Sequence, residues 1–218
     1  MSELWPATLS TPLPDGSPLV LRALHHRDRR EWEALRSANE AWLRPWEATA
    51  PQGGGTPLGF RQLVRYLDRE GRHGRLQPFA IEVNGRLVGQ MHLFGIAWGS
   101  MRSAAAGYWV AESVAGQGIT PLALALATDY GMTGLGLHRV EVNIRPDNVA
   151  SLRVVHKLGF RDEGVRSRYL HINGAWHDHR TFALTTEDLA GTSLVQRFHH
   201  TWQQSHGRHT DAGPRSGG

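Results

Sequence analysis

The residues Ala115-Gly116-Gln117-Gly118-Ile119-Thr120-Pro121 join a β-like run, Gly107-Tyr108-Trp109-Val110, to the apolar segment Leu122-Ala123-Leu124-Ala125-Leu126-Ala127. Small residues in such a turn let several backbone N–H groups converge on one anion, and the helix N-terminus that follows adds roughly half a positive charge. The turn therefore predicts a phosphate-binding loop between a strand and a helix. The alternative interpretation is an ordinary strand-to-helix turn.

Residue spacing excludes two common nucleotide-binding loops. A dinucleotide fingerprint that starts at Gly116 would need a third glycine where the chain has Pro121. A Walker-type loop would need Gly-Lys-Ser/Thr after the glycines, and the single lysine of the chain is Lys157. The remaining interpretation is a diphosphate held by backbone amides, with the helix beginning at Pro121, where a missing N–H costs little.

A strand, a turn and a second helix follow this loop. In residues 137–144, Val140, Val142 and Ile144 alternate with polar side chains, which is typical of a buried strand. Asn148 then has the type and position of a helix N-cap, ahead of the segment 152–158, which ends at Gly159.

In this order of elements the chain resembles the GNAT superfamily of acyl-CoA-dependent N-acyltransferases. The family's diphosphate loop matches residues 116–120, its next strand matches 140–144, and its later turn and ending match Asn148 and Leu158-Gly159-Phe160. The segments Trp42-Leu43-Arg44-Pro45-Trp46 and Asn173-Gly174-Ala175-Trp176-His177-Asp178 are similar to elements of the Rim-type (RimJ/RimL-like) ribosomal-protein-alanine N-terminal acetyltransferases.

The resemblance covers about residues 19–184 and has two departures in the loop. Ala115 stands where the family usually has Gln or Arg, and Thr120 stands where it usually has Gly or Ala. The contribution of side chains from the loop is therefore open, whereas the backbone cradle is unaffected.

The resemblance implies an α/β fold of the GNAT type, in which helices flank a mixed, mostly antiparallel central sheet. It also implies acetyl-CoA as the cosubstrate, and no metal is expected. The residues expected to bind the coenzyme are Val110, Ala111, Gly116, Gln117, Gly118, Ile119, Thr120, Asn148 and Ser151.

Catalysis needs little from side chains, because an α-amine with a pKa of about 7.7 to 8.0 loses its proton readily and positioning supplies much of the rate. By resemblance, Ser151 is the candidate acid for the coenzyme sulfur, since the tyrosine of other GNAT enzymes is replaced by Val155. Glu141 is the leading candidate base and Glu112 the second. Each of the three also has a purely structural interpretation, as a first-turn helix residue or an ion-paired sheet residue.

The acceptor groove is expected between two walls, formed by Trp42 and Trp46 on one side and by Trp176, His177 and Asp178 on the other. The resemblance implies that the α-amine at the N-terminus of a protein, expected to be a ribosomal protein, attacks the thioester of acetyl-CoA directly. Two alternatives stay open. One is a small-amine or antibiotic acetyltransferase, and the other is a non-catalytic module that binds acyl-CoA or the ribosome.

Composition predicts a single domain over residues 1–204, followed by a disordered tail over 205–218 that is rich in glycine and polar residues. The chain has no cysteine, no apolar run of about 18 residues that could span a membrane, and neither a basic start nor an apolar core in its first residues. We therefore expect a cytoplasmic protein.

The charges and histidines do not indicate nucleic acid or metal. Net charge is +4, and the arginines are scattered without a basic run, so no direct nucleic-acid recognition is expected. The histidines lack the spacing of a zinc site.

Local patterns predict the remaining elements. Strands are expected over 18–24, 79–83, 87–98, 102–111, 161–171 and 176–184, with hairpin turns at Asn84-Gly85 and Asn173-Gly174. Helices are expected over 26–38, 58–70 and 189–203, and a Pro/Gly-rich loop over 51–57.

Overall fold

The computed structural model describes residues 5–51 and 58–206. Its strands are β1 (Leu9–Pro12), β2 (Pro18–Ala23), β3 (Leu76–Val83), β4 (Arg86–Ala97), β5 (Ser103–Val110), β6 (Arg139–Ile144), β7 (Arg161–Ile172) and β8 (Ala175–Thr185). Its α-helices are α1 (Arg29–Ala38), α2 (Glu40–Leu43), α3 (Phe60–Arg72), α4 (Ile119–Thr133), α5 (Val149–Lys157), α6 (Thr186–Leu189) and α7 (Leu194–His206). Short 3-10 turns occupy His26–Asp28, Arg44–Trp46 and Glu112–Val114.

The eight strands form one mixed sheet in the order β1-β2-β3-β4-β5-β6-β8-β7. Every neighbouring pair is antiparallel except β5 and β6. These two parallel strands pair only where Ser103, Ala104 and Ala105 face Arg139, Val140 and Glu141. Beyond Ala105, β5 stays with β4 and β6 stays with β8, so a gap opens in the middle of the sheet.

Helices cover both faces of the sheet. α4 is apolar almost all round and packs on one face, where it meets residues such as Leu21, Phe79, Met91 and Val140 in the main core. On the other face, α1 and α3 bury a smaller cluster around Phe60 over the first strands. A helix that is apolar on every side is expected where it is enclosed. α4 is enclosed because α7 covers its outer side.

The contact between α7 and α4 is specific. The Asp129 carboxylate of α4 accepts hydrogen bonds from the backbone N–H groups of Leu194 (2.8 Å) and Val195 (3.1 Å). These N–H groups belong to the first turn of α7, where backbone N–H groups have no acceptor within the helix. Farther along α7, Phe198 and Trp202 pack against Gly118 at the start of α4.

The expected fold class is confirmed, and most predicted elements are present with shifted ends. α4 begins at Ile119 rather than at Pro121, which is instead its third residue and so still lies among the N–H groups without helical partners. The helix expected over 189–203 begins at Leu194 and runs to His206, because residues 190–193, which follow α6, are not helical.

Some expectations fall partly outside the described residues. Ser205 and His206, expected in the tail, belong to α7, and residues 207–218 lie outside the described part of the chain. Residues 52–57 of the Pro/Gly-rich loop and the first four residues lie outside it as well. The sequence patterns did not predict β1 and α2, since each is only four residues long.

Candidate active site

A cavity of about 980 Å³ lies where β5 and β6 separate. It passes from the helix-covered face near α4 and α5 to the opposite face of β4 and β5. One side is lined by residues of the loop and of α4 and α5: Ala115, Gly116, Gly118, Thr120, Pro121, Asn148, Val149, Ala150, Ser151, Arg153, Val154 and Lys157. The other side is lined by Trp42, Leu43, Trp46, Glu47, Gln90, His92, Phe94 and Trp109. Tyr108 and Val110 stand between the two sides.

The glycine loop presents backbone N–H groups to the first side. Gly116 and Gly118 have φ values of +81° and +82°, a region that favours glycine. No acceptor within the described residues bonds the N–H groups of residues 116–120. These donors and the N-terminus of α4 therefore form a cradle for an anion.

The residues expected to bind the coenzyme divide into those that line the cavity and those that do not. Val110, Gly116, Gly118, Thr120, Asn148 and Ser151 line the cavity. Ala111, Gln117 and Ile119 do not, because Ala111 and Ile119 are buried in the protein and the Gln117 side chain bonds the Ser113 carbonyl at 3.1 Å. Gln117 and Ile119 can contribute only their N–H groups to the cradle.

Asn148 is both a helix cap and a cavity residue. Its Oδ1 accepts a hydrogen bond of 3.0 Å from the Ser151 N–H, which fixes the first turn of α5. The same arrangement holds the Ser151 side chain at the cavity surface. Arg153 and Lys157, one turn apart on α5, add positive charge on this side.

The Tyr108 hydroxyl is buried in the cavity wall and has no hydrogen-bond partner among the described residues that meets the distance and angle limits of a good bond. Burial raises the pKa of this phenol well above its usual range, whereas the neighbouring Ser151 hydroxyl acts to lower it. Tyr108 is thus a protonated hydroxyl beside Ser151 at neutral pH, with hydrogen-bonding capacity to spare.

The second side of the cavity is aromatic and is tied to the end of β5. Trp42 Nε1 donates a hydrogen bond of 3.2 Å to the Val110 carbonyl, and Trp109 Nε1 donates one of 3.1 Å to Gln90 Oε1. Arg145 lies over the Trp46 ring, 5.4 Å from its centroid. The ring positions are therefore fixed by hydrogen bonds and a cation–π contact.

His92 lies in this wall with an unsatisfied ring nitrogen. Its Nε2 is buried and has no hydrogen-bond partner in the described part of the chain. Burial lowers the pKa of His92 to about 4, so the imidazole is neutral at physiological pH.

Three of the five residues expected to form the acceptor groove lie outside the cavity lining. Trp176 packs its ring against His171, His177 Nε2 is 3.2 Å from the Ile172 carbonyl, and Asp178 accepts the Arg168 N–H at 2.7 Å. The second expected wall is thus the outer surface of the β7–β8 hairpin. It supports the first wall from behind, since Asn173 Nδ2 donates to the Arg44 carbonyl at 3.0 Å.

The two carboxylates expected as bases are also elsewhere. Glu141 is bonded by Arg139 at 2.8 Å and by Arg166 at 3.0 Å, as a sheet residue in an ion-pair network. Glu112 is an exposed residue whose backbone N–H donates to Asn39 Oδ1 at 2.8 Å. Ser151 is the expected catalytic residue that the fold does bring to the cavity.

Within the described residues there is no group of three or more His, Cys, Asp or Glu side chains placed to hold a metal ion. No helix in the same part of the chain combines the length and the apolar character needed to cross a membrane.

Comparison with known proteins agrees with this geometry. The family described as acetyltransferase (GNAT) domain matches residues 18–161. The chain belongs to the GNAT acetyltransferase family. It is 37% identical to Mycobacterium smegmatis RimJ, solved in complex with a CoA disulfide, with a TM-score of 0.84 over 93% of this chain and 98% of that one.

Relatives of this acetyltransferase with stated activities act on different acceptors. The [ribosomal protein uS5]-alanine N-acetyltransferase of Escherichia coli is 28% identical over 172 residues, which cover 78% of this chain and 89% of that protein. The spermidine N(1)-acetyltransferase of E. coli is 25% identical over 166 residues, which cover 76% of this chain and 85% of that protein.

GNAT acetyltransferases use acetyl-CoA, and the site of this acetyltransferase fits that cosubstrate. The free N–H groups of residues 116–120 suit a diphosphate, and Arg153 and Lys157 suit additional phosphate charge. The gap between β5 and β6 leads from this cradle to Ser151 and Tyr108, so an extended arm can carry a thioester to the middle of the sheet.

The sequence patterns missed most of the acceptor-side wall of this acetyltransferase. Gln90, His92 and Phe94 alternate with the fully buried Met91 and Leu93 on β4. Two polar residues at alternate positions of an otherwise apolar central strand were an available signal. Tyr108 and Trp109 lie in the β-like run before the loop, where no sequence pattern indicates a role for them in the site.

Proposed function

We propose that this acetyltransferase modifies the α-amino group of a protein N-terminus, and that its acceptor is a ribosomal protein. The observation that carries the proposal is the character of the acceptor-side wall. It consists of aromatic rings and neutral polar groups, and its carboxylates are already neutralised. A chain terminus with one ammonium group and apolar or small side chains suits such a wall.

The charges argue against a polyamine. Glu47 forms an ion pair with Arg36, and Asp147 forms one with Arg145 at 2.6 Å. A polyamine carries several positive charges, and its binding energy would have to come from unpaired carboxylates. The cavity lining has two carboxylates, and an arginine competes for each of them.

The proposed reaction is direct transfer. Acetyl-CoA supplies an acyl group on a thioester, from which a thiolate leaves. The amine nitrogen forms a bond to the acyl carbon, the carbon–sulfur bond breaks, and the amine loses one proton while the thiolate gains one. We assign to Ser151 the role of donating the proton that the thiolate gains. Its hydroxyl lies in the cavity beside the protonated Tyr108.

The similarity to M. smegmatis RimJ and to the E. coli uS5-alanine enzyme supports a ribosomal acceptor. A ribosomal acceptor would in turn place this acetyltransferase in the cytoplasm.

A panel of acceptors tests the proposal. Purified protein and acetyl-CoA would be incubated with short peptides that carry the N-termini of ribosomal proteins, with the same peptides blocked at the α-amine, with spermidine and with an aminoglycoside. We expect acetylation of free-N-terminus peptides at the α-amine alone, seen by mass spectrometry, and no product from blocked peptides that contain lysine. Spermidine or aminoglycoside products with inert peptides would favour the small-amine alternative, and absence of any product would favour a binding module.

A further inference from the structure

The wall of the acceptor side contains a polar atom that the protein leaves without a partner. His92 Nε2 is buried at the cavity surface and unbonded among the described residues. Buried polar groups are nearly always hydrogen-bonded, and an exception needs an explanation. A ligand group that binds in the cavity would provide the missing partner.

The register of the sheet explains why no protein group reaches this nitrogen. On β4, His92 faces Pro78 of β3 and Gly107 of β5. Neither neighbour has a polar side chain, so neither can bond the imidazole across the sheet. Gly107 has no side chain, and the ring of Phe94, which also lines the cavity, occupies the space where its Cβ would stand.

The other bases near the cavity are occupied. Glu47 and Asp147 line it but are paired with Arg36 and Arg145. Outside the lining, Glu141 is held by two arginines. The remaining charged residues of the lining, Arg153 and Lys157, are cations on the coenzyme side. Within the cavity lining, His92 is the base that has no protein partner.

We propose that His92 Nε2 accepts the proton that the acceptor amine loses when it attacks the thioester. The nitrogen–carbon bond forms as the N–H bond to the amine breaks, and the proton goes to His92 while the carbon–sulfur electron pair leaves with sulfur. The assignment rests on acetyl transfer and holds for a peptide or a small amine. His92 later returns the proton to solvent through the open acceptor side.

The neutral state of His92 suits this role. Burial lowers its pKa to about 4, so its nitrogen lone pair is free across the working pH range and does not repel an incoming ammonium group. A base this weak is sufficient, because the nitrogen becomes far more acidic once its bond to the acyl carbon forms.

The first test is a matched pair of variants. His92→Gln keeps a polar side chain of similar length but removes the base, and His156→Gln makes the same change at an exposed ring on α5 that packs on Phe182. With whichever amine the wild type acetylates, we expect His92→Gln to lower kcat by about 100-fold or more, with acetyl-CoA Kd within about twofold of wild type. His156→Gln should be unchanged, and a His92→Gln enzyme with wild-type kcat would overturn the proposal.

Rescue separates a base from a structural support. For His92→Ala, added imidazoles of graded basicity should restore rate, with larger effects for the more basic compounds. Equal rescue by pyrazole, which is similar in size but much less basic, would show that the site needs filling rather than a base and would overturn the assignment.

A measurement on the wild type does not depend on the folding of any variant. The His92 Nε2 resonance in ¹⁵N-labelled protein should shift when a conjugate of coenzyme A and a short peptide amine, joined through an acetyl linker, occupies the site. An unchanged resonance in the bound complex would overturn direct contact. Because the conjugate reports contact without turnover, this result is distinct from failure of the proposed acceptor.

Discussion

At the scale of residues, the cavity collects groups whose hydrogen-bonding capacity the fold leaves unused. The cavity is lined by Gly116, Gly118 and Thr120, whose N–H groups have no bonded partner in the described chain, and by Tyr108 and His92, whose hydroxyl and Nε2 have none that meets the limits of a good hydrogen bond. Unpaired polar groups cost free energy in a folded protein, and a ligand that binds in this cavity can supply the partners that these groups lack.

Gly116 offers a clean test of the cradle. Its φ is +81°, and a Cβ atom built there meets nothing within 4 Å. Gly118 is less suitable, because a Cβ there would lie 3.0 Å from the Trp202 ring. Gly116→Asp should place a negative charge beside the diphosphate and weaken acetyl-CoA binding by about tenfold or more, which corresponds to about 1.4 kcal/mol.

The matched control for that prediction is Gly16→Asp in the turn between β1 and β2. Gly16 has a φ of +88° and equally open surroundings, so it imposes a similar backbone cost far from the cavity. Calorimetry should show a weakened Kd for Gly116→Asp and a wild-type Kd for Gly16→Asp. Equal Kd values in the two variants would contradict a diphosphate at this loop.

Ser151→Ala should lower turnover without weakening acetyl-CoA binding. The thiolate of the coenzyme resembles a cysteine thiolate, whose pKa is about 8.5, so the need for a proton donor is greatest below that pH. We expect the loss in kcat to be about 100-fold near pH 7 and smaller above pH 9. Ser37→Ala, at an exposed position on α1, is the control. A pH-independent loss would indicate a positioning role for the hydroxyl instead.

At the scale of elements, α7 packs against the glycine loop (residues 115–121) from outside. Trp202 and Phe198 press against Gly118, and the Lys157 ammonium group lies 4.6 Å from the centroid of a Trp202 ring. Asp129 fixes the first turn of α7 to α4. The loop, α4 and α5 thus share one support.

Trp202→Ala should loosen this support. Loss of the ring contacts and of the cation–π interaction should lower the free energy of unfolding by about 1 to 3 kcal/mol. Amide hydrogen exchange in residues 116–120 should become faster, and acetyl-CoA should bind more weakly. Trp98→Ala is the matched control, since Trp98 lies half-exposed and bonds the Gly74 carbonyl away from the cavity. Unchanged exchange in the loop of Trp202→Ala would show that α7 does not order it.

At the scale of the whole molecule, the half of the sheet formed by β6, β7 and β8 is held by a network of ion pairs. Glu163 bonds Arg139 and Arg161, and the arginines lower its pKa to about 2. The pKa of Asp188 is also lowered, mainly by the hydrogen bond from the Thr185 N–H, and Arg161 contributes to this shift. A carboxylate with a depressed pKa contributes stability that is present above its unfolded pKa and lost as pH falls through its folded pKa.

The sign of the pH dependence follows from these groups and from His92. Since burial lowers the pKa of His92 to about 4, the unfolded chain binds more protons there between about pH 6.5 and 4, and stability falls as pH drops through that range. Protonation of the carboxylates in the ion-pair network then causes a steeper loss of stability between about pH 4.5 and 2. Thermal unfolding followed by circular dichroism should show this two-step decline.

Glu163→Gln should flatten the lower of the two steps, because it removes a carboxylate whose protonation opposes folding. Glu33→Gln, which removes an exposed partner of Arg29 on α1, should leave the profile close to wild type. Identical profiles for wild type and Glu163→Gln would assign the acid lability to other groups.

Local sequence patterns predicted the order of most elements and the glycine loop before α4, and the resemblance that they carry gave the family, which the family match confirms. They did so because these features depend on neighbours along the chain: the glycines at positions 116 and 118 set the loop, Asn148 caps α5, and period-two alternation marks the strands. The resemblance also pointed to Trp42 and Trp46, which line the cavity, since the motif that contains them is short and contiguous.

Tertiary structure alone decided which side chains share the cavity. Glu141 has the alternation expected of a strand residue, but only folding brings Arg166 of β7 to within 3.0 Å of it. Trp176, His177 and Asp178 lie in a contiguous motif, yet in the folded protein their side chains contact other residues of the β7–β8 hairpin and lie outside the cavity lining. The position of His92 on an apolar strand is visible in the sequence, but its unpaired nitrogen is not, because that follows from Pro78 and Gly107 being its cross-strand neighbours. Two factors set these environments: the pairing of strands that are distant in sequence, and burial that removes water. Residues that are neighbours along the chain determine neither factor.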